Sequence, residues 1–222
     1  MSPSPPLVLT VLLSLILNVP AINAITPPAE QVTFALTNPT APGTGPGCPS
    51  HALSPSISAD RTTLTLGFDE FQLFVSPGVS VTEKSKSCVA FLGVEYPAGY
   101  TFRVSGAVFH GLARLDPFVV ASFLGTYGFG GGNGTVKVNA TVGDGSGGKG
   151  LNGYFTKGGD VDMTQRVWAP CGSGRKGNLT VQVGTRVSLT AMVTGREGDL
   201  GMGEDGEPAR LSHQLLLEWA GC

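Results

Sequence analysis

Alternation of apolar and polar residues is the feature that most limits what this chain can fold into. From Thr135 to Val142 every second residue is apolar, and the residues between them are Thr, Lys and Asn. Successive side chains of a β-strand point to opposite faces, so this period of two predicts a strand with one buried face. The sequence therefore favours a protein built from strands.

Further segments have the same character. Strands are predicted over 64–68, 71–75, 88–96, 100–115, 118–129, 179–193 and 211–219, with Gly-rich loops at 130–134 and 143–153 and an acidic loop at 197–207. The chain has 33 Gly and 16 Pro among its 222 residues, and both residue types disfavour helices. About eight to ten short strands separated by turns predict an all-β fold, a single antiparallel β-sandwich.

The first 24 residues have the layout of a secretory signal peptide. An apolar run from Leu7 to Leu17 ends at Asn18, and Ala21-Ile22-Asn23-Ala24 follows, with a small residue last and an aliphatic residue two places before it. An uncleaved anchor is the alternative, but the run is shorter than the roughly 20 residues that span a bilayer. We expect cleavage after Ala24, no membrane span and a secreted, extracellular protein. Residues 25–46 are then an irregular lead-in, in which 32–36 could pair as a strand, and 47–222 form the domain.

The four cysteines are Cys48, Cys88, Cys171 and Cys222. An even number of cysteines in a secreted chain predicts two disulfides, and their wide spacing disfavours a metal site. Three pairings are possible, and we favour Cys48–Cys88 with Cys171–Cys222. Trp168 and Trp219 each stand three residues before a cysteine, so two similar strand ends could lie side by side and be joined there.

Three Asn-x-Ser/Thr sequences are candidate N-glycosylation sites. Their acceptors are Asn133, Asn139 and Asn178. Asn139 falls on the polar face of the strand over 135–142, so its side chain is expected to point to solvent.

No sequence motif predicts a cofactor or a metal ion. Residues 143–148 match G-x-G-x-x-G, but more glycines follow where a dinucleotide site needs a helix. Asp160 and Asp162 share a strand face and could bind Ca²⁺, although a turn role is the commoner use of such residues. The net charge of −2 gives no basic surface for nucleic acid. We expect neither a cofactor, nor a metal, nor a nucleic-acid partner.

Two side-chain types leave functional alternatives open. A carboxylate pair such as Asp69 and Asp116 could serve a polysaccharide hydrolase. Aromatic residues on one sheet face could stack on sugars, with core packing as the competing explanation. The aromatic candidates are Tyr96, Tyr100, Tyr127, Tyr154 and Trp168. His213 interrupts the apolar series of the last strand, where a hydrogen-bonded histidine of the core or of a sheet edge is expected rather than a metal ligand.

Several short segments together resemble a family of small secreted proteins, common in filamentous fungi and found in some bacteria, catalogued as domain of unknown function 4360. They are Gly47-Cys48-Pro49, Ile57–Asp60, Thr63–Phe71, Ser76–Val79, Tyr96–Tyr100, Gly111–Asp116, Val167–Gly172 and Leu217–Trp219 with Cys222. The resemblance covers Gly47 to Cys222. It implies a secreted fungal-type protein with two disulfides, and it implies no catalytic residue.

These observations predict a binding or structural role rather than an enzymatic one. The expected partner is a cell-wall polysaccharide or an extracellular protein, bound by a monomer at a cell wall or host surface. The alternatives are the carboxylate hydrolase and a secreted effector or inhibitor that binds a protein.

Overall fold

A computed structural model describes residues 25–38, 43–48, 53–130, 134–174, 176–203 and 205–222. The strands are β1 (Thr33–Leu36), β2 (Gly43–Thr44), β3 (Leu53–Ile57), β4 (Thr63–Phe68), β5 (Leu73–Val75), β6 (Ser85–Pro97), β7 (Tyr100–Leu115), β8 (Val119–Phe129), β9 (Thr135–Val142), β10 (Leu151–Asp160), β11 (Lys176–Ala191), β12 (Gly198–Leu200) and β13 (Leu211–Gly221). Helical structure in these ranges is short: helix α1 (Val81–Lys84) and the 3₁₀ turns Ala29–Gln31 and Met163–Gln165. The predicted signal peptide and Asn133 lie outside the described residues.

The strands form two antiparallel sheets. The first sheet has the order β1-β6-β11-β8-β9, with β2 also paired to β6. The second has the order β3-β4-β13-β7-β12-β5, with β10 along the other edge of β7. The long strand β7 is thus the centre of the second sheet, bordered by β10 on one side and by β13 and β12 on the other. The predicted all-β sandwich is confirmed.

The two sheets pack face to face through aromatic rings. Phe102 of the second sheet contacts Tyr96 and Phe129 of the first, with ring centroids 5.4 and 5.6 Å apart. Phe109 of the second sheet lies 5.0 Å from Phe123 of the first. These rings are almost fully buried, and burial of large apolar side chains is the main favourable term in folding. The alternation that predicted β9 is visible in its burial, since alternate residues are buried and exposed along the whole strand.

A buried polar cluster joins the sheets inside this core. His213 on β13 is fully buried, with Nε2 2.6 Å from the Tyr127 hydroxyl of β8 and Nδ1 2.7 Å from the Thr185 hydroxyl of β11. A neutral imidazole has one donor and one acceptor nitrogen, so the two hydroxyls satisfy both. Gly125 leaves the space that this cluster needs, because a Cβ there would overlap the Tyr127 hydroxyl and lie 3.1 Å from His213 Nε2. The expectation of a hydrogen-bonded core histidine is confirmed.

Both favoured disulfides are present, Cys48–Cys88 and Cys171–Cys222, with Cα atoms 5.1 and 6.1 Å apart. The geometric reason offered for the second pair was wrong. The residues before Cys171 are not a strand, and they lie on the opposite side of β7 from β13: Ala169 donates to the Phe102 carbonyl, whereas Trp219 pairs with Phe102 from β13. The bridge therefore connects two segments that flank the start of β7.

Parts of the predicted organisation needed correction. The Gly-rich loop after β9 ends at Gly150 rather than at residue 153, because Leu151 begins β10. Strand β10 itself was not predicted, since its glycines hide the alternation. The segment predicted as an acidic loop at 197–207 contains the short strand β12.

The strand considered possible over 32–36 in the lead-in is observed as β1, which pairs with β6 at the edge of the first sheet.

Candidate functional site

The outward side of the second sheet carries a set of polar and aromatic side chains, which we call the outer face. Its centre is formed where β10 pairs with β7. Asn152 is opposite Arg114, Tyr154 is opposite Leu112, and Thr156 is opposite His110. Residues directly opposite each other in an antiparallel pair share one face of the sheet, so these six side chains form two adjacent rows.

His110 fixes the middle of the outer face. Its Nδ1 is 2.9 Å from the Thr156 hydroxyl on β10, and its Nε2 is 3.0 Å from Gln214 Oε1 on β13. The imidazole therefore connects three neighbouring strands by side-chain contacts alone. Such a network holds polar groups in set directions at the surface, where they can also meet a ligand.

Arg114 fixes one end of the outer face. Its Nε lies 3.2 Å from the carboxylate of Asp199 on β12, and its Nη2 donates to the carbonyls of Met202 and Gly203. The guanidinium is thereby held in one orientation although its side chain is 38% exposed. An arginine restrained in this way presents a flat polar surface with little freedom left to lose on binding.

Tyr154 is the most exposed large apolar side chain of the described residues, with 85% of its surface accessible. The ring borders a cavity of about 390 Å³, lined also by Leu112, Arg114, Asn152 and Gly153. A second cavity of about 430 Å³ shares Arg114 and Asn152 with the first and extends to Asp116, Glu197 and Asp199. The two cavities adjoin at Arg114 and Asn152, and we call them together the groove, with the exposed Tyr154 ring at its side.

The groove has an acidic rim. Asp116 and Glu197 line it beside the Arg114–Asp199 ion pair, and Asp116 accepts a hydrogen bond from the Glu197 backbone N–H at 3.0 Å. Three carboxylates against one guanidinium disfavour an anionic ligand. The arrangement suits a neutral ligand that can accept and donate hydrogen bonds and stack on a ring.

The proposed carboxylate pair is not brought together by these contacts. Asp69 forms an ion pair with Arg210 at 3.3 Å, near the end of β4. Asp116 instead lies in the groove, bound to the Glu197 backbone. Each of these two carboxylates thus has its own separate partner, and Asp69 is not among the residues that line the groove beside Asp116.

Other acidic residues serve local structure. Asp162 accepts hydrogen bonds from the Thr164 hydroxyl and backbone N–H, and these bonds hold the pKa of its carboxyl below the usual range. Asp144 likewise accepts hydrogen bonds from the Ser146 hydroxyl and from the backbone N–H groups of Ser146 and Gly148 in the Gly-rich loop. No helix begins after this loop. Within the described residues, no three His, Cys, Asp or Glu side chains are close enough to hold a metal ion.

The structure separates the five aromatic candidates. Tyr96 and Tyr127 are buried in the core, and Tyr100 is half-buried. Tyr154 and Trp168 are exposed, and both lie on the outward side of the second sheet. Sequence alone identified all five but could not separate them. The polar residues Asn152, Thr156 and Gln214 were missed, and a strand assignment for β10 would have identified the first two.

The outer side of the first sheet has a different character. Asn139 on β9 and Asn178 on β11 are both exposed there, on the side away from the core. The two predicted glycan acceptors that the structure describes therefore occupy the sheet opposite to the groove. Across the described ranges, no helix has the length and apolarity needed to cross a membrane.

The fold and the groove together define a two-disulfide antiparallel β-sandwich with a polar, aromatic-bearing outer face. Residues 38–222 match the family model described as Domain of unknown function (DUF4360), and the chain belongs to that family. The resemblance noted from the sequence motifs is thereby confirmed.

A relative from Arthroderma benhamiae is named an uncharacterized secreted protein. It is 30% identical over 179 residues, which are 80% of this chain and 68% of that protein. The protein described here is secreted, as its sequence predicted.

A solved structure of TmCBM61 in complex with beta-1,4-galactotriose is a distant structural match. It is 10% identical in sequence, and the match covers 87% of this chain and 83% of that chain with a TM-score of 0.20. This similarity is too low to inform either the fold or the ligand of this protein.

Proposed function

We propose that this protein is a non-enzymatic module that binds a neutral polysaccharide on the outer face of its second sheet, at a cell wall or host surface. One observation carries the proposal: the Tyr154 ring is exposed beside a groove in which the Arg114 guanidinium is already held in place. Sugar rings present an apolar face of C–H groups and a rim of hydroxyls, so they need both a stacking surface and directed hydrogen-bonding groups.

The surroundings of Tyr154 supply the second requirement. Asn152, Thr156 and His110 offer hydrogen-bonding groups on the same face as the ring, and the side chains of Thr156 and His110 hold each other in place. Preorganised groups such as these two favour binding because less conformational freedom is lost. The acidic rim of the groove supports a neutral rather than an acidic polysaccharide.

Several predictions from the sequence accompany this proposal. We propose cleavage of the signal peptide after Ala24, a lead-in over 25–46 and one monomeric domain over 47–222. We also propose N-glycans on Asn133, Asn139 and Asn178. Glycans on Asn139 and Asn178 would cover the first sheet and leave the groove accessible, because these residues lie on the opposite side of the sandwich.

The test is a pull-down of the purified secreted protein with insoluble cellulose, chitin, β-1,3-glucan, mannan and galactan. We expect retention on at least one polysaccharide, and a loss of at least about tenfold in affinity for Tyr154→Ala. Phe91→Ala is the matched control, because Phe91 is an exposed aromatic residue on the outer side of the first sheet. Equal losses for the two variants would contradict the assignment of the site.

The same samples distinguish the alternatives. Soluble sugar released by the wild type and lost in Asp69→Ala would show a hydrolase and overturn the binding proposal. Failure to bind any of the polysaccharides would also overturn it, and an extracellular protein partner would then be the next candidate.

A further inference from the structure

The outer face extends well beyond Tyr154, along the whole of β7. At the far end Trp168 lies against Arg103, whose guanidinium carbon is 4.8 Å from the indole centroid. Arg103 is held by Glu218 of β13, to which its Nε donates at 2.9 Å. Trp168 remains 39% exposed. A second aromatic ring is thus fixed on the outward side of the second sheet, next to the start of β7.

The separation of the two rings follows from strand geometry. Tyr154 is opposite Leu112, and the segment containing Trp168 bonds to β7 at Phe102. A strand rises about 3.3 Å per residue, so the rings are separated by roughly 30 Å along β7. An extended chain must be several sugar residues long to span that distance, and a disaccharide is far too short.

The surface between the rings is low, and its side chains are partly apolar (Val108, Leu216) and partly polar (Thr156, Asp160). After Thr156, the outward positions of β10 are Gly158 and Asp160, opposite Val108 and Gly106 of β7. A Cβ at Gly158 would stand against the Val108 side chain at 3.4 Å, so the glycine keeps this part of the strip flat.

Resting on the proposed function, we propose that the ligand is an extended neutral polysaccharide chain that lies along β10 and β7 and contacts Tyr154 and Trp168 at once. The two rings act as the ends of one site. Short oligosaccharides bind at Tyr154 only, where the groove supplies additional polar contacts, and chains long enough to reach Trp168 bind more tightly.

The experiment uses oligosaccharides, from disaccharide to octasaccharide, derived from a polysaccharide that retains the protein in the pull-down. Calorimetry measures the affinity of the protein for each length. For the wild type, affinity should rise by at least about tenfold between the trisaccharide and the octasaccharide. Trp168→Ala should remove that gain and leave trisaccharide affinity unchanged, whereas Trp168→Phe should keep most of it. Tyr154→Ala should weaken the binding of every length.

A second variant tests the strip independently of Trp168. Gly158→Thr adds a side chain between the rings without a new charge, and it should weaken octasaccharide binding while sparing the trisaccharide. Thermal unfolding of each variant checks that the fold is retained. Affinity that stops rising at the trisaccharide, or equal losses at all lengths for Trp168→Ala, would overturn the extended site while leaving binding at Tyr154 in place. Absence of binding by every oligosaccharide would overturn the proposed function and this inference with it.

Discussion

Two histidines of the second sheet make nearly the same contacts in opposite environments. His213 lies between the sheets, with its ring nitrogens next to the hydroxyls of Tyr127 and Thr185. His110 lies on the outer face, with its ring nitrogens next to Thr156 and Gln214. Each imidazole connects its own strand to two others, but only His213 is sealed from water.

The difference shows what burial does to a hydrogen bond. A buried polar group that loses its partner keeps the full cost of desolvation, whereas an exposed group can turn to water. The hydrogen bonds of His213 are therefore expected to stabilise the fold. The hydrogen bonds of His110 within the protein can be replaced by hydrogen bonds to a ligand. The following predictions test that contrast, from the largest expected change to the smallest.

Phe109→Ala should give the largest loss of stability. Phe109 is fully buried, stacks on His213 with centroids 4.4 Å apart, and also contacts Phe123. Removal of a buried Phe ring should lower the free energy of unfolding by about 3–5 kcal/mol. Urea denaturation measures the loss. Val108→Ala, one residue along on the outer side, is the control and should cost about 1 kcal/mol; equal losses would contradict the inner and outer assignments.

Tyr127→Phe removes one hydroxyl and little volume. It leaves a ring nitrogen of His213 without a partner in the core, so the free energy of unfolding should fall by about 1–3 kcal/mol. Gln214→Ala makes the matching change at His110, where water can replace the lost amide, and should change stability by less than about 0.5 kcal/mol. If the two variants unfold at the same urea concentration, the contrast between the histidines is wrong.

Lowering the pH should reduce the stability of the folded protein through the buried His213. Burial lowers the pKa of His213 to about 3, from an ordinary value of 6.5. Between these values the unfolded chain binds a proton that the folded chain does not, so stability falls as the pH falls below about 6.5, by up to roughly 1.4 kcal/mol per pH unit. Above about pH 6.5, His213 does not make the free energy of unfolding depend on pH.

His213→Gln isolates this contribution, since an amide can meet both hydroxyls but does not titrate. The difference in unfolding free energy between the wild type and this variant, followed from pH 7 to pH 4, should show the slope. A difference that stays constant with pH would mean that His213 binds its proton over the same pH range in the folded and unfolded chains, which contradicts a lowered pKa.

His110→Ala should reduce stability less than Phe109→Ala or Tyr127→Phe does, by less than about 1 kcal/mol. It should nevertheless weaken polysaccharide binding several-fold, because the directed polar groups at the centre of the outer face are lost. Thermal unfolding and the pull-down on the same preparation measure the two effects. A stability loss as large as that of Tyr127→Phe would assign His110 to the fold rather than to the site.

Much of the fold could be predicted from the sequence because many strands have one buried and one solvent-exposed face, which gives an alternating pattern. Strand β9 alternates strictly, and its predicted range agrees with the observed one. Strand β10 was missed because Gly153, Gly158 and Gly159 interrupt its pattern. Because glycine has no side chain, it adds neither an apolar nor a polar residue to the alternation, and a strand that contains three glycines resembles a loop in sequence.

The site was harder to predict than the fold. Tyr96 and Tyr154 are both strand residues, yet one is buried and the other is 85% exposed. Which face of a strand becomes the core depends on the strands that cover it, and these come from distant parts of the chain. Local sequence could identify the aromatic residues, but the pairing of β10 with β7 was needed to place Tyr154 beside Arg114 and Asn152.

The position of β13 has a consequence for how quickly the protein folds. This strand lies between β4 and β7, and Trp219 near its end donates to the carbonyl of Arg61, 158 residues earlier in the chain. Contacts across such separations must close long loops before any stabilisation is gained, which places all-β proteins of this kind in the range of milliseconds to seconds. During synthesis, the second sheet stays open along β4 and β7 until residues 211–221 have emerged, so its completion is a late event in folding.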